Sequence, residues 1–574
     1  MLSTLKKINF LITKRQRKGL VVLTLLLFVG MVFEVFGLGI LIPVLSILLN
    51  PEMIESNFAI SNVREVFSNF SNQQFLFITL GFIVILYFFK SLFLVFLTHK
   101  QNRFLSNTIA SISNRLFFNY MNQPYKFHLN RNASDLIKNI QVEIYYFQTF
   151  LLSLITIFIE GGFVISVLAT LIYIEPIGAI SIGIFYGFLS IIFLQFTKKK
   201  LNTWGSLRES LDAQVSKVSL EGLGGIKDIL ILGKTDFFIE EYSKKNYLKA
   251  RVNSNQGTVS QIPRFYLELI SILGLVSFII LLLLQGKDPA ILVTILGVFV
   301  AATFRMIPSL NRIIAAMQSM KYLLPSVDTI FNEIKNNIGN EVNYTSSEKY
   351  IFKNQIELKN TTFGFSEGQN VLENINLKIK KGQTIGFIGE SGSGKSTLID
   401  IIIGLHEPIS GEILIDGIND FQMCQSWRNN IGYISQTIYL IDDSILKNIA
   451  LGIPENEINY FRIDKVLKQV QLEKFINSLE FGLNTKVGER GVQLSGGQRQ
   501  RIGIARALYN DPEILILDES TSALDTFTES QVLNSIKSLK NEKTILMIAH
   551  RHTTLADCDK VFEIKDKKIR LTKI

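Results

Sequence analysis

Apolar and polar positions divide the chain into two unlike parts. Over the first 320 or so residues the apolar positions come in long runs, near 20–49, 75–98, 149–174, 177–197, 266–285 and 289–317. Each run is long enough to cross a hydrocarbon core about 30 Å thick with some tilt, which predicts six spanning helices. The segments between them alternate in character. Residues 51–72 set Glu52, Glu55 and Glu65 against Arg64, and 175–176 and 286–289 are minimal. Residues 99–148 and 198–264 are long, helical in pattern and basic, with Lys100, Arg103, Arg115, Lys126, Arg131 and Lys138 in the first and Lys198, Lys199 and Lys200 in the second. Lys and Arg gather on the cytoplasmic side of a membrane, so the long segments are expected inside. Two stretches in them, 123–136 and 221–233, mix turn formers with a small apolar face and are candidates to press against another domain. From 331 to 350 the chain is polar, and from Ile356 short β-like runs alternate with helical ones. The expected division is a membrane α-helical domain over 1–330, a linker over 331–350 and an α/β domain over 351–574.

Composition supports the division. The chain has 574 residues, too many for one core, and is 48% hydrophobic with 43 Phe. Its formal net charge of +10 admits nucleic acid as a partner, but the basic segments flanking apolar runs are the commoner cause, and no nucleic-acid role is expected. Residues 1–19 are basic and the apolar run after them exceeds the core of a signal peptide, so it is expected to stay as an anchor. The two cysteines, Cys424 and Cys558, both lie in the second part, where free thiols are expected.

The second part carries the chemistry. Gly389, Gly394, Lys395 and Ser396 fit G-x-x-x-x-G-K-[ST] between a strand expected over 384–388 and a helix expected over 396–403. In such a loop, Gly389, Glu390, Ser391, Gly392, Ser393, Gly394 and Thr397 turn successive backbone N–H groups toward one anion. The helix N-terminus adds positive potential, Lys395 reaches phosphate oxygens and Ser396 offers a hydroxyl to Mg²⁺. Four apolar residues ending in Asp518 place a carboxylate at a strand tip beside that site, and Glu519 follows as the candidate base toward the water that attacks a terminal phosphate. A second anion site is expected where Ser495, Gly496, Gly497 and Gln498 open a helix. Two such sites for one terminal phosphate make sense if each completes the other in a head-to-tail dimer.

The segment LSGGQ at 494–498 is also the signature of the ATP-binding-cassette family, and with six spans before the cassette the whole chain resembles its half-transporter exporters. The resemblance implies ATP and Mg²⁺ as cofactors and a homodimer in the membrane. It also implies roles for further residues. Phe365, where the family more often has Tyr, resembles the aromatic that stacks on adenine. Gln436 resembles the glutamine that senses the metal, beside Ser396 and Asp518, and the membrane domain. Ser522 to Asp525 resemble the loop that crosses to the partner cassette, and His550 the histidine that contacts the terminal phosphate. With Glu519, His550, Lys395 and Gln436 all present, two equal hydrolytic sites are implied.

For cargo, the spans hold Lys90, Arg264, Arg305 and Arg312, on three of the expected helices and at roughly 24–35 Å from their outer ends at 1.5 Å per residue. They either form one basic belt for an anionic cargo or snorkel at the inner interface. Arg305 and Arg312 lie two turns apart around Pro308, where a kink is expected, and arginine suits phosphate through its fork. Glu34 and Glu160 also fall within spans, as partners for cations or for cargo. The segments IPRFYLE, YFFK and FRMIPSLNRII resemble those of bacterial lipid-linked oligosaccharide flippases of the PglK type, which implies a polyprenyl-pyrophosphate-linked glycan as cargo at the inner membrane. The alternatives are lipid A, a drug or a peptide moved by the same fold, or a cassette that regulates a channel; a soluble DNA-repair ATPase conflicts with six spans.

Overall fold

The computed structural model describes residues 2–39, 72–174, 176–284, 289–337, 350–366, 369–419, 424–519, 542–549 and 555–572, with scattered positions between 531 and 540. It divides into two compact units, Met1–Gln123 with Asn130–Glu341, and Pro124–Leu129 with Val342–Ile574.

The first unit is all helical. Its long helices are α2 (Lys14–Gly39), α3 (Asn72–Met121), α6 (Ile144–Ile174), α7 (Pro176–Gly224), α9 (Thr235–Leu284) and α10 (Pro289–Asn336). Shorter elements punctuate them: α1 (Leu2–Leu11), α4 (Tyr125–Leu129), α5 (Ala133–Lys138), a π-helical turn (Asn139–Glu143) and α8 (Ile226–Ile231). Each long helix holds one of the apolar runs as far as it is described, residues 40–49 of the first run and 285 of the fifth lying outside the described residues, and α3, α7, α9 and α10 are about 50 residues each, far more than the 20 a membrane needs. Among the described residues, three stretches, 14–33, 80–121 and 133–172, are long and apolar enough to cross a membrane by length and composition alone. Helices α9 and α10 continue through Pro263, Pro308 and Pro325, as helices in apolar packing tolerate. The polar run expected as linker from 331 is still helical to Asn336.

Helix α10 packs against α6, α7 and α9, and an ionic cluster lies where these helices meet. Arg208 of α7 and Glu143 of the π-turn are both 0% exposed at the side chain, with 3.5 Å between Nη2 and Oε2. Lys138 lies 3.6 Å from Glu143, Asp212 lies 3.7 Å from Arg208, and Lys249 of α9 closes the chain at 2.6 Å from Asp212. The guanidinium stands 3.8 Å from the Tyr146 ring centre and donates to Ser326 of α10 at 2.8 Å. Charges taken this far from water persist only when paired, so the cluster ties four helical segments into one arrangement. Nothing in the periodicity of the chain announces it.

The second unit is an α/β domain. A three-stranded antiparallel sheet has the order β2 (Gln369–Lys380), β1 (Gln355–Ser366), β4 (Ser410–Ile415). A six-stranded sheet has the order β5 (Ile431–Ile434), β6 (Ile514–Asp518), β7 (Thr544–Ile548), β3 (Thr384–Ile388), β8 (Lys560–Lys565), β9 (Lys568–Thr572). Strands β6 and β7 are buried at every position, which explains the runs of four apolar residues in each: a parallel strand covered on both faces has no polar side to alternate with. The main helices are α11 (Lys395–Ile403), α12 (Cys424–Arg428), α13 (Ile445–Ile449), α14 (Tyr460–Gln469), α15 (Glu473–Asn477) and α16 (Gly496–Tyr509). The short helix α4, from the first turn-rich stretch, groups with this unit, and its Tyr125 ring lies 5.6 Å from that of His406.

Candidate nucleotide site and basic helix positions

Strands β5, β6, β7 and β3 run parallel, so their C-terminal ends fall on one edge of the sheet, where ligands of such sheets gather. Gly389 follows β3, Gln436 lies two residues past β5, Asp518 ends β6 and Glu519 follows it. His550 and Asp525, with the segment 522–525, lie outside the described residues.

The loop after β3 is built on glycine. Gly394 caps α11 with φ of 101° and Gly389 has φ of 151°, where a Cβ would stand 2.5 Å from the carbonyl oxygen of Ile564. A side chain at either position would pull the loop open. Lys395 is 6% exposed, and its Nζ donates to the carbonyl oxygens of Gly389 and Glu390, each at 2.9 Å. Its charge is thus held inside the cradle rather than on the surface. Ser393 Oγ is buried and has no hydrogen-bond partner among the described residues, as a hydroxyl awaiting a ligand oxygen would be. Helix α11 is braced from behind: Trp427 Nε1 donates to Ile402 O at 2.9 Å and Arg428 to Gly404 O at 2.7 Å.

Beside the cradle, Asp518 accepts from Ser396 Oγ at 3.4 Å and from Tyr433 Oη at 3.1 Å. Burial holds its carboxyl above the usual range, with the neighbouring Glu519 adding to the effect against these two hydrogen bonds. Asp400 on α11 is pushed up to about 6 by burial and by the charge of Asp518. A pocket that resists carrying two negative charges is suited to a cation. The hydroxyl of Ser396 and the carboxylate of Asp518 are hard oxygen donors of the kind Mg²⁺ takes, together with water and phosphate oxygens. Among the described residues no group of three or more His, Cys, Asp and Glu could hold a metal ion.

Glu519 is the unusual backbone position of the site. Its φ is 48°, left-handed, a conformation that costs a non-glycine residue about 1 kcal/mol or more. Its side chain accepts from Gln436 Nε2 at 2.7 Å. Ser495 caps α16: Oγ accepts from Gln498 N at 3.2 Å, while the Gln498 side chain accepts from Ser495 N at 2.8 Å. This reciprocal cap engages the glutamine side chain in holding the helix start and leaves Ser495 exposed, with Gly496 and Gly497 behind it. Among the described residues no hydrogen bond joins 495–498 to the loop at 389–397. Phe365 is 48% exposed and meets Phe363 and His406 edge to face.

In the membrane unit the four basic positions fare differently. Lys90 on α3 is 6% exposed and lies 4.9 Å over the Tyr87 ring. Arg264 on α9 is exposed, and the Arg305 side chain lies outside the description. Arg312 on α10 pairs with Glu160 on α6, Nε to Oε1 at 2.7 Å and Nη2 to Oε2 at 3.1 Å. A fork-to-carboxylate pair of this kind is geometrically specific, and it gives one of the four basic positions a fixed counter-ion, which is one of the two roles expected of Glu160. It also gives Glu160 a partner, while the Glu34 side chain lies outside the description. Tyr433, Asp400 and the choice of Arg312 as the cation for Glu160 escaped sequence reading, because each depends on a contact across strands or helices far apart in the chain.

Comparison with known proteins agrees with this geometry. Residues 372–522 match the family described as ABC transporter, and 20–284 match the ABC transporter transmembrane region. The chain is 30% identical to an ATP-dependent lipid A-core flippase of Pseudoalteromonas translucida, over 81% of this chain and 80% of that one. It is equally 30% identical to the ATP-dependent lipid A-core flippase of Escherichia coli, over 80% and 78%. A heterocyst differentiation ATP-binding protein of Nostoc is 34% identical over 62% and 58%. These relatives bear out the expected family but do not single out the PglK type, since it is lipid A-core flippases that match over most of the chain. A solved bacterial Atm1-family ABC exporter with ATP bound superposes with a TM-score of 0.78 over 97% of this chain and 94% of that one, at 21% identity, and shares its fold. The chain belongs to the ABC transporter family and is a membrane exporter that couples ATP hydrolysis to transport.

Proposed function

We propose that the protein is an ATP-driven flippase for a glycolipid whose head group carries phosphate, working as a homodimer in the bacterial inner membrane. The observation that carries the cargo is the set Lys90, Arg264, Arg305 and Arg312 on three helices of the membrane unit, in a chain whose relatives are named for moving lipid A-core. Two glycolipid classes have this chemistry. The relatives favour lipid A-core, and the segments IPRFYLE and FRMIPSLNRII favour a polyprenyl-pyrophosphate-linked oligosaccharide. Both present phosphate to arginine and differ in the lipid and the sugar.

In the cassette, Ser396, Asp518 and Gln436 are the residues that would hold Mg²⁺, which supplies charge neutralisation on the phosphates when bound. Phe365 stacks on the base, the 389–397 loop cradles the phosphates, and Glu519 takes the proton of the attacking water, with Gln436 holding its carboxylate in place. His550 and Asp525 complete the site in this reading. Ser495 to Gln498 serve the nucleotide of a second copy, since the capped serine is exposed and the chain has one such segment. Leu230 and Ile231 at the end of α8 and Leu232 just past it are 61%, 72% and 69% exposed, an apolar surface suited to pressing against another domain. The experiment is ATPase stimulation in nanodiscs. Added lipid A-core or polyprenyl-pyrophosphate oligosaccharide should raise the rate several-fold, whereas a neutral glycolipid of equal chain length should not. Equal stimulation by the neutral lipid would remove phosphate from the reading.

A further inference from the structure

We infer that His406 is a positioning residue for the nucleotide base, because its imidazole fixes the ring of Phe365. The inference rests on the reading of Phe365 as the base-stacking aromatic. His406 stands two residues past Gly404, the left-handed cap of α11, so its backbone is set by the same helix that begins with Lys395. Its side chain is turned inward and the residue is 4% exposed. There it stacks on Phe363 at 4.8 Å between centroids and 27° between planes, and meets Phe365 at 5.5 Å and 86°. Phe363 and Phe365 meet each other at 5.2 Å and 85°. The three rings close a triangle in which only Phe365 reaches solvent, 48% exposed against 5% for Phe363.

The imidazole has two further neighbours. Tyr125 of α4 lies 5.6 Å away, Asp400 Oδ2 is 4.0 Å from Nε2, and burial followed by the nearby Lys126 keeps the imidazole below its ordinary pKa, a state in which its flat face stacks like another aromatic ring. A half-exposed phenylalanine at the end of a strand samples several rotamers, and a base that stacks on it must first select one. Edge-to-face contacts of this kind are worth about two- to tenfold in an equilibrium constant, enough to fix the ring before the base arrives. Removing His406 opens a gap behind Phe365 while leaving the phosphate cradle untouched.

The test uses the full-length protein in nanodiscs, with KM and kcat for ATP and the inhibition constant of inorganic tripolyphosphate, which offers phosphates without a base. Phe365→Ala establishes the base seat if it raises KM for ATP and leaves tripolyphosphate inhibition alone. His406→Ala should then show the same pattern, a three- to tenfold rise in KM for ATP with a smaller change in kcat, and His406→Phe, which restores a flat ring, should recover most of it. If Phe365→Ala shifts KM and His406→Ala does not, the positioning role is wrong while the base seat stands. If Phe365→Ala has no effect on KM, the base seat is elsewhere and the inference falls with it. If His406→Ala weakens tripolyphosphate as much as ATP, or His406→Phe fails to rescue, the histidine merely supports the fold and the inference is overturned.

Discussion

Gln436 Nε2 donates a 2.7 Å hydrogen bond to Glu519 Oε2 across 83 residues of sequence. The contact exists because β5 and β6 are parallel neighbours, with Ile434 opposite Leu517, so residues just past each strand emerge side by side. The bond aims a carboxylate whose own backbone is held at φ of 48°. Strain at one residue, steadied by a neighbour, is a recurrent arrangement at catalytic positions.

Replacing Glu519 by Gln keeps the shape and removes the base. Hydrolysis should fall by at least about a hundredfold with ATP binding retained, as expected for loss of a positioned proton acceptor. The check is single-turnover hydrolysis alongside nucleotide binding on the purified variant. Near-normal turnover would reassign the base.

The exposed cap at Ser495 makes a prediction about assembly. Ser495→Arg should abolish hydrolysis without preventing ATP from binding to the loop at 389–397. Cysteines placed at 392 and 495 should cross-link between chains, and more so with ATP present. A monomer with full ATPase activity would refute the composite site.

For the Arg312–Glu160 pair, the anionic-cargo reading expects opposite effects from the two neutralisations. Glu160→Gln frees the arginine and should lower the lipid concentration needed for half-maximal ATPase stimulation. Arg312→Gln should raise it, each by a few-fold. Equal loss from both would mark the pair as a structural tie between α6 and α10.

Arg208 bears on stability. Its removal leaves the carboxylates of Glu143 and Asp212, 0% and 1% exposed, without their central counter-ion. Arg208→Ala should cost about 3–5 kcal/mol, read as a lower apparent Tm in detergent, and adding Glu143→Gln should recover part of it. An unchanged melting profile would show that water, not protein, satisfies the cluster.

Local and short-range features were legible in the sequence. The described parts of the six apolar runs lie in six long helices, and the strand, glycine loop and helix at 384–403 stand where the motif and its flanking periodicity place them. What escaped are relationships set by tertiary contact. The Asp518–Tyr433 bond depends on which strands are neighbours in the sheet, and the burial of Arg208 depends on four helices meeting at their polar ends. A lone arginine in a basic, helical stretch reads as a solvated face, and periodicity carries no signal to the contrary. Gln498 was legible as part of the signature, whereas its side chain's engagement in the cap is a matter of geometry that only coordinates supply.

The account turns on movement of a phosphate-bearing glycolipid driven by ATP, and translocation in proteoliposomes containing this protein alone tests it directly. With ATP, the wild type should carry lipid A-core or polyprenyl-pyrophosphate oligosaccharide across the bilayer, and Glu519→Gln should carry neither. Arg305→Gln combined with Arg312→Gln should retain basal ATPase and lose translocation. Normal translocation by that double variant at equal protein level, or intact ATP hydrolysis by the wild type with neither lipid moved, would contradict the account.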